Sequence, residues 1–287
     1  MKDKINKYIT VSLIANLFLS TLKIIFGMIS NVKSLIADGI HSLSDLITDF
    51  VAIIGNLLSK KPADIDHPRG HGKIEYITSL IISCFIIFLS ISIFKNSFSN
   101  KIVIPNVYIS IVVVITIVIK AFVSHILIKK GSELNSTILI SSGKESYTDV
   151  YSSLLVLFVT IISQFYNKFD FLKYSDIVGS ILISFLIFYT GVRLLLQSLS
   201  LLVGESERSS DKLLEVRKII LNRDDLFKLK KCIMYKYGSY YEVLITILVS
   251  GNMTVRNGHK LMDDIEDDLL KSNLKIKFVT IHIEPIE

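Results

Sequence analysis

Six apolar runs, near residues 8–29, 34–58, 74–94, 105–128, 140–166 and 174–203, are each long enough to cross a bilayer, which takes about 20 mostly apolar residues. Hydrocarbon offers the backbone no water to bond with, so each run must close its own amide hydrogen bonds as an α-helix. The composition agrees. A 51% hydrophobic content and a mean hydropathy of +0.54 over 287 residues exceed what a soluble domain carries. The first run opens at Tyr8 after MKDKINK with no small-residue cleavage pattern behind it, so it reads as a retained span and not a signal peptide. Cys84 and Cys232 are far apart and lie in segments of different character. A disulfide or a thiolate metal site is therefore not expected.

The net charge of +6 comes from basic residues placed mostly in loops. That placement is a topology signal and argues against nucleic acid as a partner. One side holds Lys2, Lys4, Lys7, Lys60, Lys61, Arg69, Lys73, Lys129, Lys130 and Lys144. The other holds Lys33, Lys95, Lys101, Lys168 and Lys173. The richer side is expected to be cytoplasmic. Six spans then return both termini to the cytoplasm, giving a multi-pass cell-membrane protein.

After Val203 the character changes, and a boundary is expected between 1–204, the transmembrane domain, and 205–287, a cytosolic domain. GESERSSDKLLEVRKIILNRDD is charged with helical apolar spacing, and LKKCIMYKY and YYEVLITILV read as strands joined at Gly238-Ser239. Thr254 can cap a helix over VRNGHKLMDDIEDDLLKS, and IKFVTIHIEPIE alternates as a strand. The order α-β-β-α-β suits a small α+β domain. No internal repeat and no low-complexity linker is evident.

The second run contains ADGIHSLSDLITDF, with Asp38, His41, Asp45 and Asp49. At 100° per residue these four fall within an arc of about 80°, so the face they share should turn inward. An ionised side chain at bilayer depth costs about 3 kcal/mol on insertion scales. His41 and Asp45 stand one turn apart, and Glu145 and Asp149 repeat that spacing in the fifth run. Two such pairs on two helices can close a tetrahedral site around a divalent cation. The cation would offset the burial of the carboxylates. In the loop PADIDHPRGH, Asp64, His67 and His71 are spaced by three and four and suit a second, more exposed site, with Asp66 beside them as an orienting residue.

ADGIHSLSD, PADIDHPRGHGKIE, TDVYSS and the terminal IHIEP together resemble the cation diffusion facilitator family over nearly the whole chain. The resemblance implies export of divalent metal ions from the cytoplasm in exchange for protons. It also implies a homodimer and a metallochaperone-like, ferredoxin-like C-terminal domain. It makes His41, Asp45 and Asp149 transport ligands and puts Glu145 where zinc-transporting members carry histidine. One nitrogen with three carboxylates is a harder set, which favours manganese or iron over zinc. The resemblance further implies a metal site in the loop, and a C-terminal one at His259, His282 and Glu284. There Lys230 falls where metal-binding relatives place histidine.

The expected protein is thus a proton-coupled exporter of divalent transition metals (Zn²⁺, Mn²⁺, Fe²⁺ or Co²⁺), not an enzyme. It carries no G-x-x-x-x-G-K-[ST] loop to draw on ATP. A membrane-anchored metal sensor and a passive cation channel are the alternatives. A sensor has no use for two ligand pairs at membrane depth.

Overall fold

The computed structural model describes residues 2–59, 61–98, 104–134, 136–207, 210–222 and 227–286. Lys60 and Lys101 of the charge comparison lie outside these. Six long helices come first: α1 (Lys2–Ser30), α2 (Lys33–Ser59), α3 (Ile74–Ser97), α4 (Val107–Glu133), α5 (Thr137–Ser163) and α6 (Ser175–Val203). All six are long and apolar enough to span a membrane. The pattern is that of a chain meant for lipid. Phe18, Phe122, Phe158 and Phe185 are more than half exposed, while serines, Lys23, Asp38 and Lys120 are buried. The described chain divides into two compact units, residues 1–50 with 82–193 and residues 51–81 with 194–287.

In the first unit, α1 pairs with α2 and α4 with α5 as tight helical hairpins. At the first turn Asn31 takes a left-handed φ of 55°, which asparagine tolerates better than most residues. Asp176, at the start of α6, caps α2 by accepting from the Lys33 and Ser34 amides at 2.9 and 3.0 Å and from Ser34 Oγ at 2.6 Å. A carboxylate there meets otherwise unpaired amides at the positive end of the helix dipole.

The two hairpins are built alike, and the expectation of no internal repeat is corrected here. A Cβ on Gly27 would lie 2.7 Å from Ile36 Cγ1, and one on Gly131 2.7 Å from Ile140 Cγ1. The same 2.7 Å contact relates Gly39 to Ile24 and Gly143 to Ile128. The turn bonds match as well: Val32 N to Gly27 O at 3.0 Å and Ser136 N to Gly131 O at 2.8 Å. Every one of these pairs is offset by 104 positions. The same offset carries His41 to Glu145, Asp45 to Asp149 and Asn16 to Lys120. The repeat hides in the sequence because it rests on a few glycines and branched residues where helices touch. The lipid-facing positions, which need only be apolar, have diverged.

The second unit contains α7 (Ser210–Leu221), β1 (Phe227–Tyr237), β2 (Tyr240–Ser250), α8 (Val255–Lys271) and β3 (Ile276–Ile286). This is the expected α-β-β-α-β order. The sheet runs β1-β2-β3, antiparallel then parallel. Thr254 caps α8, its side chain accepting from Asn257 N. Val216 and Ile220 of α7, Val243, Ile245 and Ile247 of β2, and Ile265 and Leu269 of α8 form the core. The loop before α3 is tied to the hairpin tip. Tyr240 donates its hydroxyl to Arg69 O at 2.6 Å and accepts from Gly72 N at 3.3 Å, and Gly238 N donates to Tyr76 Oη at 2.7 Å. Arg69 pairs with Glu242. Gly72 and Gly238 touch backbone to backbone, and Gly238 has a φ of +66°, so neither position has room for a side chain.

Candidate metal centre

α2 and α5 carry the polar face that the sequence predicts. His41, Asp45 and Asp149 each turn one ligand atom into a common space, all within 4.8 Å of one another. His41 Nδ1 lies 3.7 Å from Asp45 Oδ2 on the same helix, and Asp149 comes from α5, 7% exposed. An imidazole nitrogen and two carboxylates at this spacing can converge on one divalent cation. Glu145, the fourth expected ligand, is not among the three; it is exposed. The inward stripe of α5 runs through Gly143, Ser146, Asp149 and Ser153. Glu145 stands at its edge, one turn nearer the start of the helix.

The other acids of α2 have separate roles. Asp49 is exposed. Asp38 is completely buried, and its Oδ2 meets Lys23 Nζ of α1 at 2.8 Å. It also accepts from Ser152 Oγ at 2.6 Å and Ser153 Oγ at 2.9 Å, while Lys23 donates to Ser153 Oγ at 2.8 Å. Asp38 is therefore a clasp between α1, α2 and α5. A second buried lysine, Lys120 of α4, reaches Asp149 Oδ2 at 2.5 Å and is 2% exposed. Neither lysine stands out from the apolar pattern, although an ionisable residue inside a membrane-length run is itself a signal.

The loop trio is also brought together. Ligand atoms of Asp64, His67 and His71 lie within 4.8 Å of one another. Asp64 Oδ1 receives His67 N at 2.7 Å and faces His67 Nδ1 at 3.0 Å, and Asp64 Oδ2 faces His71 Nε2 at 3.4 Å. His71 Nδ1 meets Pro62 O at 3.2 Å. A carbonyl can only accept, so Nδ1 carries the proton and Nε2 is left free to ligate. The slight desolvation of the loop works against ionisation of Asp64, but the hydrogen bonds from His67 outweigh it and hold the carboxyl below its usual range.

The C-terminal trio does not assemble. Ile283 packs toward α8 against Gly258, and Val279 and Ile281 join the core. With a period of two, His282 and Glu284 then point to the opposite face of the sheet from α8. His259, on α8, pairs instead with Asp263 at 3.1 Å. Lys230 holds Glu284 at 2.5 Å, and that hydrogen bond keeps the Glu284 carboxyl below its usual range. The expectation that His259 meets the other two is thus corrected within one chain.

Six membrane-length helices with a cluster of potential cation ligands between two of them, followed by a small α+β domain, are the architecture of a membrane transporter for cations. Comparison with known proteins gives the family. Residues 9–203 match the cation efflux transmembrane domain, and residues 209–286 match the cation efflux protein cytoplasmic domain. The chain belongs to the cation efflux, or cation diffusion facilitator, family and is a multi-pass membrane protein that exports divalent metal cations. It is 27% identical to the manganese efflux system protein MneP of Bacillus subtilis, over 97% of this chain and 95% of that protein. It is 25% identical to the manganese efflux system protein MneS of the same organism, over 96% and 94%. The mitochondrial metal transporter 2 of Saccharomyces cerevisiae is 28% identical over 84% of this chain and 54% of that protein.

Proposed function

We propose that this protein is a proton-coupled antiporter that exports divalent transition metals, manganese foremost, from the cytoplasm. The carrying observation is the convergence of His41, Asp45 and Asp149 across α2 and α5. One nitrogen against carboxylate oxygens is a set that suits manganese or iron, and manganese is what MneP and MneS are named for. Glu145, one turn above Asp149, is the residue an entering ion meets first and completes the set when its side chain turns inward.

Ligands must shed protons to bind a metal, so protons arriving from the far side compete for His41 and the carboxylates and release the ion. Both termini are cytoplasmic in this reading, and residues 205–287 form a cytosolic domain through which the protein is a homodimer. Asp64, His67 and His71 hold a second cytosolic ion beside it.

The test is flux into proteoliposomes with Mn²⁺, Fe²⁺, Co²⁺ and Zn²⁺, with and without a proton gradient. Gradient-dependent manganese flux that Asp149→Ala abolishes is expected. Flux indifferent to the gradient would make the protein a channel, and no flux of any metal would make it a sensor.

A further inference from the structure

We propose that Lys120 is the affinity-setting residue of the transport site, a tethered cation that competes with the metal for Asp149. The inference rests on the transport-site reading above. Lys120 Nζ lies 2.5 Å from Asp149 Oδ2, with both side chains enclosed. Its position is pinned. Gly131 and Gly143 let α4 and α5 touch, and Ser124 Oγ of α4 donates to Gly143 O of α5 at 2.5 Å. The ammonium therefore sits on the carboxylate oxygen that a metal ion needs at about 2.0–2.2 Å. Two cations cannot share that oxygen at this depth without strong repulsion, since a low-dielectric interior screens it poorly. Loading the site displaces the ammonium, and the displaced ammonium favours unloading.

The internal repeat shows that this is a feature of one half only. Asn16 stands on α1 where Lys120 stands on α4, and Asp45 where Asp149 does. Among the described residues, Asp45 Oδ2 and Asn16 Oδ1 are both buried without a hydrogen-bond partner, the nearest imidazole nitrogen to Asp45 being that of His41 at 3.7 Å, whereas Asp149 is paired. The site thus has one open carboxylate, Asp45, and one covered by its own cation. Past Glu145, an ion settles on the His41–Asp45 side and gains Asp149 only by moving Lys120. Without this competitor the two carboxylates would hold a divalent ion more tightly, so Lys120 assists the release that protons complete. Lys120 buys release at the expense of affinity.

The test measures Mn²⁺ binding to the full-length protein in detergent by equilibrium dialysis, with initial transport rates in proteoliposomes alongside. Lys120→Met and Lys120→Asn (the residue of the matching half) should bind Mn²⁺ at least about tenfold more tightly and transport it more slowly, because release is hindered. Lys120→Arg keeps the charge and should stay within about threefold of the parent affinity. A purely structural role would weaken binding in the Met and Asn variants, so a gain of affinity with a loss of turnover separates the two. Unchanged or weaker binding in both, with Asp149→Ala still removing the transport-site equivalent, overturns this inference and leaves the site reading intact. Binding indifferent to Asp149→Ala overturns both.

Discussion

Removing the buried acid of the Lys23–Asp38 clasp should be among the most destabilising single changes in the membrane region. Lys23 and Asp38 are 1% and 0% exposed and 2.8 Å apart. Among the described residues, Asp38→Ala leaves the Lys23 ammonium with only the Ser153 hydroxyl, and leaves the hydroxyls of Ser152 and Ser153 with just the Asp149 carbonyl on their own helix. Breaking a buried ion pair from one side costs about 3–5 kcal/mol, chiefly the penalty of the charge left behind. Replacing both members by apolar residues of similar volume is often neutral or stabilising by about 1–4 kcal/mol. Lys23→Met with Asp38→Leu should therefore recover most of what Asp38→Ala loses. The assay is reversible unfolding in mixed detergent micelles followed by far-ultraviolet circular dichroism, on the parent, Lys23→Met, Asp38→Leu and the pair, with Asp38→Ala alongside. A loss below about 1 kcal/mol for Asp38→Ala, or strict additivity in the double variant, would refute the claim that the charges are enclosed and mutually dependent.

Ala at Gly39 or Gly143 places a Cβ 2.7 Å from an isoleucine Cγ1 and 3.0 Å from that isoleucine's backbone nitrogen. Each should cost about 1–3 kcal/mol by overpacking, and the two losses should be similar if the hairpins are equivalent, as read from the same unfolding curves. Glu145→His adds a second imidazole and should raise the ratio of zinc to manganese initial rates; an unchanged ratio removes Glu145 from ion selection. His71→Ala, made in an Asp149→Ala background, should eliminate the remaining bound metal equivalent in equilibrium dialysis. Glu284 is held below its usual 4.5 by Lys230, so this pair adds stability above pH 4.5 that is lost as pH falls through the lower folded value. Lys230→Met should flatten that acid dependence slightly, and high salt should mask the difference because the pair is exposed.

The sequence alone determined what depends on local chemistry. Length and apolarity dictate six helices because a backbone in hydrocarbon has no other partner. Alternation and a Gly238-Ser239 turn dictate the hairpin, and Thr254 the start of α8. Spacing of three and four put His41 with Asp45, and Asp64 with His67 and His71, on common faces, since neighbours on a helix or in a tight loop stay neighbours in any fold.

Tertiary structure alone decided which of those faces meet what. Asp38 shares the arc of His41 and Asp45, yet it faces Lys23 and two serines of α5, so its oxygens are taken up in clasping helices. Glu145 has the spacing of a ligand but stands at the edge of its stripe. His282 and Glu284 alternate correctly along β3, and only the side on which α8 packs shows that His259 of the same chain does not join them. Lys120 lies 29 residues before Asp149, and the contact exists because glycines let α4 and α5 close together. The pairing of charges across helices is a long-range property. A buried charge must find a partner, and helical periodicity fixes the face from which it looks but not the helix that answers.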